Sequence, residues 1–379
     1  MVSLSTMASP LPDPVPLPEI HRVLVTKLRH LGDVLLASPV FTTLARAIPG
    51  AEIDALIYGG TEPMLAGHPA VAQIHAIDRN WKRQGIVSQV NEEWGLLRRL
   101  QARRYDLLIH LTEHSRGLTL VRLLRPRWSV TRERPSRARM WRRQFTHFYR
   151  QPSHALRHTV EANLDALRRI GIEPDSADKR LVMVPDTQAQ VRVAALLALH
   201  RLAPRNFIHV HPGSRWLFKC WPAARTAALL DRVVDDGFAV VVTGADDEHE
   251  RALVAAIMTA IKPITRSRTV DLRAQLTLPE LAAVAGQARA FVGVDSAPMH
   301  IAAAMGTPTV ALFGPSGEKQ WGPWGVPARV IASEVHPCRP CGLDGCGGGK
   351  VSDCLMTLPV DRVHEGLRAL LAETGRETA

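Results

Sequence analysis

Four short stretches combine residue types able to do chemistry with positions at the ends of apolar segments. In the first, Asp33 follows Gly32 just after Val23-Leu24-Val25 and the turn at Arg29-His30-Leu31. Glycine allows a close backbone approach, and a carboxylate at a helix start can either cap that helix or take a proton from a hydroxyl. In the second, His211-Pro212-Gly213-Ser214 precedes Lys219 and Trp221-Pro222. Small residues with free N–H groups and one ammonium can cradle a phosphate and stabilise a leaving diphosphate, although a surface loop with a solvated lysine has the same composition. The third stretch is Thr243-Gly244-Ala245-Asp246-Asp247-Glu248. Compensation of the helix dipole explains at least two of its acids, and a carboxylate there can also bind a ribose hydroxyl.

The fourth stretch is the sharpest. Gly293-Val294-Asp295-Ser296 ends an apolar segment, an Ala-rich helical pattern containing His300 runs to Gly306, and Pro308 restarts a strand. A strand end that feeds a helix start offers N–H groups to an anion and polar side chains to hydroxyls. A capped buried helix accounts for Asp295 or Ser296 but not for His300. Missing patterns narrow the chemistry further. No G-x-G-x-x-G follows a strand, no G-x-x-x-x-G-K-[ST] occurs, and no Asp-x-Asp is present. Dinucleotide redox, Walker-type and metal-dependent sugar-nucleotide readings lose their support.

These residues need elements to position them. Strands are expected near Val23–Val25, Ile53–Tyr58, Val71–Ile77 and Tyr105–Leu111, with helical patterns between some of them, the clearest being Gln84–Arg103. The alternation restarts at Asn206–His211 and continues through strands at 238–243, 290–294 and 307–313, with helices at 223–236 and 246–261. Strands spaced by helices form a parallel sheet, so the expectation is α/β, in two halves with ligands at the carboxyl ends of the strands. The expected division is a disordered Pro-rich tail over 1–20 and a first half over 21–185. A linker over 186–204, a second half over 205–358 and a C-terminal helix over 359–379 complete it.

With 379 residues, 46% hydrophobic and 22% charged, the chain is long enough for two domains and a core that needs no disulfides. No run of eighteen apolar residues occurs. Forty-seven Lys and Arg against 36 Asp and Glu give a net charge of +11, which favours phosphates, anionic membrane surfaces or nucleic acid as partners. Five cysteines, an odd number, argue for a reducing compartment. The first twenty residues show neither a basic nor an apolar leader region, so a cytoplasmic location is expected.

Taken together, the fourth motif, His211 to Pro222 and the opening Lys27-Leu28-Arg29-His30-Leu31-Gly32-Asp33-Val34-Leu35-Leu36 resemble the ADP-heptose:lipopolysaccharide heptosyltransferases of glycosyltransferase family 9. Within that family the chain is most similar to the type III enzymes. The resemblance spans about residues 20 to 370. It implies a GT-B fold, two Rossmann-like domains facing across a cleft. It also implies inverting transfer of heptose from ADP-heptose to an inner-core heptose of lipopolysaccharide, without a cofactor or metal. Asp33 then matches the general base and Lys219 the lysine at the donor phosphates. Ser214, Thr243, Gly244, Glu248, Asp295, Ser296 and His300 fall at donor-binding positions, and Lys27, Arg29, His30 and Arg116 at acceptor-binding ones. Where the family often has Thr-Gly, this chain has Ser296-Ala297.

Other readings remain open at this level. Another GT-B transferase or a sugar-nucleotide epimerase would share much of the pattern. From a different class, residues 116–150 hold eleven arginines with Trp128, Trp141, Phe145, Phe148 and Tyr149, a composition able to grip nucleic acid, although nucleic acid is not the expected partner. The same segment suits a phosphorylated acceptor at an anionic bilayer, and a solvated helical face is the bland alternative. Cys338, Cys341, Cys346 and Cys354 are spaced closely enough for a thiolate metal site, but reduced structural thiols are the expectation.

Overall fold

The computed structural model describes residues 13–80, 86–112, 115–133, 143–150 and 157–376. Two six-stranded parallel sheets organise it. The first takes its strands from Arg22–Lys27 (β1), Glu52–Tyr58 (β2), Gln73–Ile77 (β3), Leu107–His110 (β4), Trp128–Arg132 (β5) and His147–Tyr149 (β6), in the order β3-β2-β1-β4-β5-β6. The second uses Phe207–His211 (β7), Ala239–Val242 (β8), Thr269–Asp271 (β9), Ala290–Val294 (β10), Thr309–Phe313 (β11) and Ala328–Ala332 (β12), in the order β12-β11-β10-β7-β8-β9. Read from its first strand, each sheet has the doubly wound order 3-2-1-4-5-6. This is the GT-B arrangement that the resemblance implies.

Central strands are buried on both faces, which is why β1 and β10 read as apolar runs and why β7 buries even His209 and His211 among apolar residues. The helices that matter for the site are Leu31–Leu35 (α1), Ser38–Ala47 (α2), Ile86–Arg103 (α3), Arg116–Leu124 (α4), Thr159–Arg168 (α5), Thr187–Leu199 (α6), Ala223–Asp235 (α7), Glu248–Ala260 (α8), Leu278–Gln287 (α9), Ala297–Ala304 (α10) and Val360–Arg376 (α11). The core around β1 includes Val34, Leu36, Phe41 and Leu164, and it continues into Leu281, Ile301 and Ala303 of the second sheet's helices. The two halves therefore share apolar packing as well as a cleft.

Two stretches differ from the expected division. Residues 1–12 of the tail lie outside the described residues, but 13–20 pack on the first sheet instead of forming part of a disordered tail. Val15 and Ile20 are buried there, and Asp13 accepts from Arg169. The supposed linker contains α6, capped by Asp186, with Val193 and Leu197 buried against Phe207, Val241 and Val284. Helix α11, in the stretch read as a C-terminal helix, lays Val363, Leu367 and Leu370 into the core of the second sheet. No helix among the described residues is long and apolar enough to cross a membrane.

Candidate active site

Both sheets reverse their winding between the first and fourth strand of each half, and the residues that follow those strands meet there. After β1 the chain turns directly into α1. His30 is its N-cap residue and makes no side-chain cap hydrogen bond, while Asp33 lies half-buried in the first turn. Asp33 is thus not the residue that caps the helix.

Gly32 faces α10 of the other half. A Cβ built on Gly32 would stand 2.9 Å from His300 Cδ2 and 3.9 Å from Ala297 Cα, so the glycine is what lets α1 approach α10. Gly32→Ala is expected to lower the melting temperature, since overpacking costs about 1–3 kcal/mol, and to lower kcat by separating the two helices. A variant unchanged in both would mean that the helices do not meet this closely in solution.

On the facing side, Lys219 Nζ donates to Asp295 Oδ2 at 2.6 Å, with Asp295 only 7% exposed at the end of β10. Ser296 holds the N-cap position of α10, but its hydroxyl donates to Val294 O at 3.3 Å and no side chain caps the helix. Hence Asp295 and Ser296 are both at the helix start without performing the capping role; Pro298 has no N–H and Met299 N donates to Ser296 O at 3.2 Å, so it is the Ala297 N–H that is left to an anion. His300, one turn in, is fully buried. Burial pushes its ring down to about 4, outweighing the carboxylates of Asp295 and Asp33, which favour the charged form. Its Nδ1 is buried without a hydrogen-bond partner.

The other donor candidates are divided between loop and core. Ser214 is buried and accepts from Trp216 N at 3.3 Å. Thr243 Oγ1 is enclosed between His209 Nε2 at 2.8 Å and His211 Nδ1 at 2.9 Å. Gly244 is half-buried and Glu248 is exposed in the first turn of α8, where Asp247 is the cap. The acid turned inward is Glu250, which sequence reading did not single out. Glu250 Oε2 accepts from Ala245 N at 2.7 Å and lies 3.3 Å from His211 Nε2. Burial pushes its carboxyl up, but the His211 ring and the Ala245 N–H together hold it below the usual range. A side chain at position 213 would collide with Glu250, so Gly213 is fixed by this packing.

Acceptor candidates are likewise split. Arg29 and His30 are exposed at the cleft, and His30 Nδ1 lies 3.2 Å from Arg215 Nη1 of the opposite half. Arg215 is a second residue missed from sequence, although it sits inside the stretch between His211 and Lys219. Lys27 is buried and donates to Asn163 Oδ1 at 3.0 Å, and Arg116 pairs with Glu93 at 3.2 Å. Within the Arg-rich segment, residues 134–142 lie outside the described residues. Phe145 and Tyr149 are buried in the first half and so are not free to stack bases. All five cysteines are free thiols, Cys354 buried and Cys338, Cys341 and Cys346 exposed. Among the described residues, no group of three or more His, Cys, Asp or Glu is arranged to hold a metal.

The buried histidines set a pH dependence. Burial lowers His300 and His68 to about 4 and His209 to about 3. Each is neutral in the folded state at pH 6, whereas the unfolded chain binds a proton below about 6.5. The unfolded state therefore holds more protons there, and stability falls as pH drops from 6.5 toward 4.5, by roughly 1.4 kcal/mol per pH unit for each such ring. Melting curves across that window check this, and His209→Gln is expected to remove one ring's share of the slope.

The geometry agrees with comparisons to known proteins. Residues 94–351 match glycosyltransferase family 9 (heptosyltransferase). The chain belongs to this family. Lipopolysaccharide heptosyltransferase 3 of Escherichia coli is 33% identical to it over 300 residues, 78% of this chain and 84% of that protein. Among solved structures, the glycosyl transferase family 9 protein from Veillonella parvula DSM 2008 superposes with a TM-score of 0.79 at 21% identity, covering 95% of this chain and 99% of that one. The E. coli heptosyltransferase WaaC with ADP-2-deoxy-2-fluoro heptose gives 0.70 at 19% identity, covering 92% and 99%. The family 9 chain described here thus shares its fold with these proteins.

Proposed function

We propose that this glycosyltransferase moves heptose from ADP-heptose to a heptose of the lipopolysaccharide inner core, with inversion at the anomeric carbon. The observation that carries the reading is the opposition of Asp33, unused as a cap, to the Lys219–Asp295 pair at the uncapped start of α10. Displacing a diphosphate from an anomeric carbon needs a base on the incoming hydroxyl and positive charge on the departing oxygens. Asp33 takes the proton, and Lys219 with the Ala297 N–H at the start of α10 receives the diphosphate. Asp295, Ser296 and His300 line the donor side with Ser214, Thr243 and Gly244, while Glu248 lies near the nucleoside end. Arg29 and His30 approach the acceptor, with Lys27 and Arg116 behind them.

Family membership, the E. coli relative named for lipopolysaccharide heptose transfer and the WaaC structure with an ADP-heptose analogue support the choice of substrates. A cytoplasmic site with peripheral contact to an anionic membrane follows from a soluble sugar nucleotide meeting a lipid-borne acceptor, and a net charge of +11 favours it. The test is a donor screen that follows nucleoside diphosphate release with lipopolysaccharide core acceptor. ADP-heptose is expected to turn over well above UDP- and GDP-sugars. Preference for a uridine or guanosine donor would overturn the assignment.

A further inference from the structure

Helices α3 and α4 run side by side along the outer face of the first sheet, tied at one end by Arg116 to Glu93 at 3.2 Å and at the other by Gln101 Nε2 donating to Leu123 O at 3.1 Å. Among the α3 residues described from Val90 on, Leu96 and Leu100 are buried, which leaves a separate stripe at Val90, Trp94, Arg98 and Gln101. Val90 is 58% exposed and Trp94 53%, large values for residues that gain by burial. The Arg98 guanidinium lies over the Trp94 ring at 5.4 Å. Through Gln101 the stripe continues onto α4, where Leu123 is 44% exposed. Beside Leu123 opens a groove of about 550 Å³, lined by Leu118, Thr119, Arg122, Arg125 and Gln144 among others.

Charge on this face is one-sided. Arg98, Arg99, Arg122 and Arg125 are exposed, and none of the ion pairs among the described residues includes them. Glu93 is paired with Arg116, and the exposed Glu92 lies with Arg99 on the next flank of α3, off the stripe. Apolar side chains with a tryptophan, fringed by unpaired arginines, suit the boundary between anionic headgroups and acyl chains. The ring and the aliphatic groups enter the interface while guanidinium groups meet phosphates. Both helices begin at the carboxyl edge of the first sheet, the edge that carries Asp33, and the Val90–Trp94 end of the stripe lies toward it.

We propose that the α3–α4 face, centred on Trp94, Arg98, Arg122 and Leu123, is the surface by which this protein docks on an anionic lipid bilayer. The assignment rests on the reading of a lipid-borne acceptor, but its test does not. The full-length protein is sedimented with vesicles of phosphatidylethanolamine and phosphatidylglycerol, and separately with phosphatidylcholine vesicles. Binding to the anionic vesicles and little to the neutral ones is expected.

Arg98→Glu with Arg122→Glu should weaken anionic-vesicle binding by at least about 25-fold, from roughly fivefold for each positive charge lost at the surface. Trp94→Ser with Leu123→Ser should weaken it without altering its salt dependence, since no charge is removed. Release of nucleoside diphosphate with a delipidated core oligosaccharide is expected to be unchanged in both variants, which separates failure of docking from failure of the catalytic assignment. Equal binding of wild type and both variants to the anionic vesicles, or no binding by the wild type, would overturn the proposal. So would loss of duplex DNA binding at physiological salt in the arginine variant without any vesicle binding.

Discussion

Asp33→Asn is expected to lower kcat by roughly 10²–10⁴-fold, the span typical of losing a general base, with the melting temperature nearly unchanged. An unactivated sugar hydroxyl is a poor nucleophile at neutral pH, so its proton has to leave as the bond to the anomeric carbon forms. The carboxylate that can receive it must face the cleft and be free of structural duty. We propose that Asp33 meets both, since its charge acts on His300 of the opposite half and on His30. It lies in the first turn of α1, the helix that touches α10 through Gly32, and His30 occupies the N-cap position. Asparagine keeps the shape and can still interact with the helix start, but lacks the basic oxygen. Initial rates at saturating donor and acceptor, together with a melting curve, check the result. Near-normal kcat would move the search to another acid in the cleft.

Much of this site was legible in the sequence because strand ends in a doubly wound sheet are marked by abrupt changes of residue type. The apolar runs of β1 and β10 stop at Lys27 and Asp295, the mostly apolar β7 ends at His211, and each candidate loop starts there. The edge strands were harder. β9 has three residues, all half-buried, and β12 is only partly buried, so neither carries a strong apolar signal. β5 and β6 are hidden inside an Arg-rich stretch whose charge dominates any reading of pattern. Val130 and Tyr149 nevertheless point into the core.

What sequence could not give is which of several similar groups turns inward. Among the acids after β8, Glu248 follows the loop more closely, yet Glu250 is the one buried beneath Gly213. Helical spacing decides this, since position 250 falls on the same face as Val254 and Ile257, which are fully buried. Arg215 was invisible for another reason. Its neighbour His30 lies 185 positions away in the chain, and only the meeting of the two halves brings them to 3.2 Å.

Lys219→Ala is expected to reduce kcat by about 10²–10³-fold, comparable to removing one preorganised donor from a developing anion. The free protein complicates the measurement, because Lys219 is held 2.6 Å from Asp295, a carboxylate only 7% exposed. Deleting the ammonium alone leaves that carboxylate buried without its cation, which is itself destabilising. A fall in rate could then reflect a disturbed β10–α10 junction and not the loss of charge at the diphosphate. Lys219→Ala combined with Asp295→Ala separates the two. Removing both partners relieves the unpaired charge, so the double variant is expected to recover melting temperature relative to Lys219→Ala while kcat stays low and donor affinity stays weak. Recovery of turnover together with stability would reduce Lys219 to a counter-ion for Asp295. Continued loss beyond that of Asp295→Ala alone would leave the ammonium as the charge that meets the departing diphosphate.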